Sequence, residues 1–111
     1  MSTFTTRSKA AANVVPPNAD VVVMGKADLG YRPADMNAYF QIHVRGLDAG
    51  TYDLALSLAD DLDNFRDHQT NATENDSVIV DGPLVEAFRF TFTGLGAGAA
   101  PICYVKGQRK V

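Results

Sequence analysis

The sequence has no tryptophan, one cysteine and two histidines, and each scarcity closes off a class of function. With no second thiol, Cys103 forms no disulfide within the chain, which favours a reducing cytoplasm as the place of synthesis. The stretch Met1 to Lys9 holds no continuous apolar run after its basic residues and does not read as a secretory signal. No apolar run approaches the ~20 residues that a spanning helix requires, so no membrane contact is expected. A formal charge of −3 gives no argument for nucleic acid. The missing tryptophan, and the lack of an outward aromatic ladder among basic residues, weaken sugar stacking and single-strand nucleic-acid binding alike.

What is present is strand-like. In a chain of 111 residues, a length suited to one domain, 46% are hydrophobic and 21% charged, an ordinary globular balance. Residues 1–17 read as an extended arm of small and polar residues closed by Pro16-Pro17, and residues 18–111 as the folded body. Within the arm, Thr3 to Arg7 has enough β-branched residues to add to a sheet edge. The body opens with Asp20 to Met24, a short β-branched run, followed by a loop from Ala27 to Asp35. From Ala38 to Arg45 the pattern alternates. Ala38, Phe40, Ile42 and Val44 point inward, and Tyr39, Gln41, His43 and Arg45 outward.

Gly46 to Gly50 has the length and chemistry of a hairpin loop, leading into a strand over Thr51 to Leu58 with Tyr52, Leu54, Leu56 and Leu58 inward. Residues 60–76 read as a long exposed excursion, with six acids against Arg66 alone and one helical turn at most near its start. Further strands are expected over Ser77 to Asp81, over Glu86 to Thr93 with Phe88, Phe90 and Phe92 inward, and over Pro101 to Lys106. Six or seven strands with no strand–helix–strand alternation predict an all-β fold. The expectation is a single antiparallel β-sandwich or small barrel-like domain with an extended N-terminal arm.

No catalytic constellation is visible. His43 sits on an outward strand face, His68 lies beside Asp67 with no nucleophile to serve, and Cys103 reads as a small buried apolar residue. Asp61, Asp63, Asn64 and Asp67 are spaced as oxygen ligands for Ca²⁺ but lack the glycine and distal glutamate of an EF-hand, so no metal and no cofactor is expected. The glycines of Gly94 to Gly98 precede a strand rather than a helix, which suits a hairpin and not a phosphate cradle. Asn71-Ala-Thr73 and Asn75-Asp-Ser77 match the glycosylation pattern by coincidence on the same reading. The acidic stretch and the basic ends (Arg7 and Lys9, then Lys106, Arg109 and Lys110) read as a solvated acidic loop between frayed termini, or alternatively suit head-to-tail or ring contacts between copies.

The stretch Glu86 to Gly94, the Gly/Ala loop and Ile102 to Gly107 resemble the closing hairpin of small β-sandwich head-decoration, or cement, proteins of tailed bacteriophages. The small polar arm is similar to theirs as well. That resemblance implies a non-enzymatic virion structural protein, made in the host cytoplasm. It would dock on the major capsid protein at the capsid surface and stabilise the shell as homo-oligomeric copies. Phe4, Arg7 and Lys9 are the expected contacts of the arm, and Arg109 and Lys110 those of the tail. The alternative is a ligand- or carbohydrate-binding β-sandwich module, for which Tyr31, Tyr39 and Tyr52 are the aromatic candidates.

Overall fold

The computed structural model describes residues 7–58 and 61–110, with the side chains of 7–10 and 61–63 outside the description. Its strands are β1 (Arg7–Val14), β2 (Val21–Met24), β3 (Ala38–Arg45), β4 (Thr51–Leu58), β5 (Asp61–Ala72), β6 (Val78–Asp81), β7 (Val85–Thr93) and β8 (Ile102–Arg109). They form two antiparallel four-stranded sheets in the orders β1-β8-β3-β6 and β2-β7-β4-β5. An all-β sandwich is therefore the architecture, as the alternation implied.

The core lies between the sheets. Phe40, Ile42 and Val44 of β3 and Cys103 and Val105 of β8 face Leu54 of β4 and Phe88, Phe90 and Phe92 of β7, all buried. The rings mesh at angles. Phe40 meets Phe88 edge to face at 5.8 Å between centroids, and Tyr52 tilts against Phe90 at 6.0 Å. Gly82 lies directly over the Phe40 ring, where a side chain would collide with it.

Several expectations are corrected. Gly46 to Gly50 is not a hairpin loop, because β3 and β4 lie in different sheets and the segment arches between them. The same holds for the closing pair, since β7 and β8 face each other across the core rather than pairing side by side. An arch and a hairpin share length, glycine content and alternation, and only the choice of pairing partners separates them. Residues 60–76 are not a loop excursion. Most of them form β5, which pairs with β4 through three irregularities in register and keeps its polar side chains by lying at a sheet edge. In β4, Leu56 and Leu58 are only half-buried, whereas Ala55 and Ser57 are covered on the opposite face, where Arg89 lies over the Phe65 ring. The stretch read as loop from Ala27 to Asp35 overlaps a single helical turn, Lys26–Leu29, and contains a 3₁₀ turn, Pro33–Asp35.

Of the stretch read as an arm, Arg7–Val14 is an edge strand bonded to β8, and residues 1–6 lie outside the described residues. Val15, directly after β1, is buried in the core.

Candidate functional site

The alternation of β3 leaves Tyr39, Gln41, His43 and Arg45 on the outer face of the first sheet, and that of β8 adds Tyr104, Lys106 and Gln108. Register then brings them together. His43 stands opposite Tyr104, Gln41 opposite Lys106, and Tyr39 opposite Gln108. The His43 and Tyr104 rings stack with centroids 4.7 Å apart and planes within 9°, and the Arg45 guanidinium carbon lies 5.8 Å from the Tyr104 centroid. At the far end of the same face, the Lys110 ammonium sits 4.5 Å from the Tyr39 ring centroid. This outward row of aromatic and cationic side chains is the ladder that the sequence reading did not find. Arg45 and Tyr104 stand 59 residues apart in the sequence, and the β3–β8 pairing brings them together.

Beside this row, residues 73–77 turn from β5 into β6. Thr73 donates through its backbone N–H and its hydroxyl to Asp76 Oδ2, at 2.7 and 3.2 Å, and the Asn75 N–H donates to Thr73 Oγ1 at 3.2 Å. The Leu47 N–H donates to Glu74 Oε2 at 3.1 Å, pinning the turn to the β3–β4 arch. Gln41 Nε2 donates to Ser77 Oγ at 2.7 Å. Between this turn and β3 lies a recess of about 290 Å³, lined by Gln41, His43, Arg45 and residues 74–77. A second cavity, about 400 Å³, opens at the other end of the sandwich over Leu56, Leu58, Val80 and Val85, with His68, Asp81 and Lys110 at its rim.

Electrostatics follow from burial and neighbours. Partial burial, then the Arg45 charge, lowers the His43 pKa from its ordinary value and favours a neutral ring. Burial pushes the Cys103 thiol up to about 12, which makes it an inert core residue. Tyr52 is likewise raised to about 12, first by burial and then by the charges of Asp76 and Cys103. The Lys110 pKa is raised chiefly by its hydrogen bond to Asp81 Oδ1, at 2.5 Å.

The residues expected to act sit as follows. Phe4 lies outside the described residues. Arg7 and Lys9 fall on β1, and Arg7 stands opposite Gln108, so the start of β1 and the Arg109–Lys110 end of β8 share one end of the first sheet. Lys110 is engaged by Asp81 and Tyr39, and Arg109 has its own contacts. Tyr31 and Tyr52 are core residues, leaving Tyr39 as the exposed member of that trio, 49% accessible, while Tyr104 was not among the candidates. His68 does not form a catalytic pair with Asp67. Its Nε2 lies 3.0 Å from the Ile79 carbonyl, which can only accept, so the ring donates and ties β5 to β6 across the edge of the sandwich. Asp61 and Asp63, two of the four candidate oxygen ligands, fall where side chains lie outside the description, in a part of β5 with irregular register. Among the described residues no three His, Cys, Asp or Glu side chains gather as a metal site.

No protein-family model and no curated protein matches the chain. Among solved structures, the fold is similar to part of the IMPa metallopeptidase in complex with T-antigen, with a TM-score of 0.57 and 12% identity. The match covers 97% of this chain but 13% of that one, so the chain corresponds to a small part of that protein's length, and at such identity the likeness is one of fold alone.

Proposed function

We propose that this chain is a non-enzymatic virion structural protein that docks on the major shell protein of a phage capsid, with copies of itself alongside. The observation that carries this reading is the state of its sheet edges. β5 is blunted by its irregular register and by exposed Asn64, Arg66, Asp67, His68 and Gln69. β6 and β2 are only four residues long, and the Ile79 carbonyl of β6 is engaged by His68. β1 is eight residues long, composed mainly of small side chains, and open on one side among the described residues.

Its hydrogen-bonding groups are arranged for an added strand. The Val15 N–H donates to the Pro101 carbonyl at 3.0 Å, and bonded pairs alternate along an antiparallel ladder. Asn13 and Ala11 therefore also bond toward β8, while Ala10, Ala12 and Val14 present their N–H and C=O groups to the open edge. A partner strand can pair there without competing with the fold. The acidic β5 and the basic β1–β8 end lie at opposite edges of the sandwich, which supports head-to-tail neighbours.

Ala12→Pro removes an outward N–H and leaves the β8 ladder intact. Added back to purified capsids, the native chain is expected to bind in copy numbers near those of the shell protein by quantitative mass spectrometry. The variant should bind at least tenfold less while melting within a few degrees of the native chain. Undiminished docking of the variant, or no binding of the native chain, overturns the proposal.

A further inference from the structure

The recess between β3 and the 73–77 turn is independent of the β1 edge, and its chemistry is specific. One wall is an imidazole ring whose other face is already backed by Tyr104, so the ring is held upright by its stack. Arg45 and Gln41 bring donors from β3, on either side of that ring. The opposite wall brings Glu74, Asn75 and Asp76. The turn's own bonds use Oε2 of Glu74 and Oδ2 of Asp76, which fixes both carboxylates in place while their second oxygens stand outside those bonds.

Each class of ligand can be weighed against these groups. Two carboxylates repel a phosphate or other anion, and the Arg45 guanidinium beside them opposes a metal cation. A purely apolar ligand would leave the polar walls without partners. A neutral ring bearing adjacent hydroxyls meets all of them, because each hydroxyl both donates and accepts. Its donors go to the carboxylates, its acceptors to Arg45 and Asn75, and its apolar C–H face lies against His43. The volume of about 290 Å³ is near the lower end of small-molecule sites, room for one sugar unit and little more.

We propose that this recess is a saccharide-binding site that takes a single neutral sugar unit, exposed at the end of a glycan, with His43 as its stacking wall and Arg45, Glu74, Asn75 and Asp76 as its hydroxyl partners. The site is preorganised, because the turn is bonded to itself, to the β3–β4 arch and to Gln41. It is also open and small, so a free monosaccharide is held weakly and exchanges fast.

The test is a titration of the isotope-labelled full chain with glucose, galactose, mannose, N-acetylglucosamine and lactose in turn, followed by amide correlation spectra. The expected result is a saturable shift with at least one of them, confined to amides of residues 41–45 and 73–77. Arg45→Ala and His43→Ala should each weaken it more than tenfold, with the rest of the spectrum unchanged as proof of folding. Ala12→Pro should bind sugar as the native chain does, which separates this site from the docking edge. No saturable shift with any of the sugars, shifts mapping elsewhere, or undiminished binding by a folded Arg45→Ala variant overturns the assignment.

Discussion

Tyr52 shows how one residue can look like a ligand contact in the sequence and be a core residue in the fold. Its position on β4 points it inward, and its hydroxyl is buried with no hydrogen-bond partner among the described residues. A buried hydroxyl left unpaired loses its hydration with nothing in return. Tyr52→Phe keeps the ring that packs on Phe90 and deletes only that orphaned group. The variant is expected to be more stable by about 1 kcal/mol, read as a rise of roughly 4 °C in melting temperature. A fall in melting temperature would show that the hydroxyl finds a partner.

At the scale of elements, strands were legible wherever one face was apolar and the other polar. β3 and β7 show this most clearly, each with three inward large residues alternating with polar ones. β5 was not legible, because an edge strand carries polar residues on both faces and so looks like a loop. The pairing of strands was not legible either. Alternation tells which face of a strand is buried but not which strand lies beside it, so the arches passed for hairpins, and the His43–Tyr104 stack stayed hidden until β3 met β8.

The arches do have a local mark. Gly46 has φ +80°, and a β-carbon there would lie 2.5 Å from the Ala100 carbonyl oxygen, because the β3–β4 and β7–β8 arches press on each other. Gly96, in the neighbouring arch, has nothing within 4 Å of the same position. Gly46→Ala should therefore cost at least about 2 kcal/mol in chemical denaturation, from left-handed strain plus the close approach, while Gly96→Ala should stay within about 0.5 kcal/mol. Equal effects at the two sites would refute the packed-arch explanation.

Considered as a whole molecule, the chain changes sheets at nearly every turn. β1, β3, β6 and β8 belong to one sheet and β2, β4, β5 and β7 to the other, so among the described strands only β4 and β5 follow one another within a sheet. Few contacts can form between sequence neighbours before distant strands have met, and loop closure precedes most of the stabilising burial. Refolding from denaturant is expected in the ~10 ms to seconds range rather than in microseconds, measurable by tyrosine fluorescence in stopped flow. A submillisecond phase carrying the full amplitude would contradict it.

The adjacency of β1 and β8 also has a mechanical meaning. They run antiparallel, with Arg7 opposite Gln108, so the start of one and the finish of the other sit side by side at the same end of the sheet. Tension applied to those two points opens the pair like a zip, loading its hydrogen bonds one after another. Tension between the start of β1 and the arch at Gly96 instead runs along the strand and loads the same bonds together. The domain is thus soft when stretched by its two ends and stiff when anchored by one end and held at the arches.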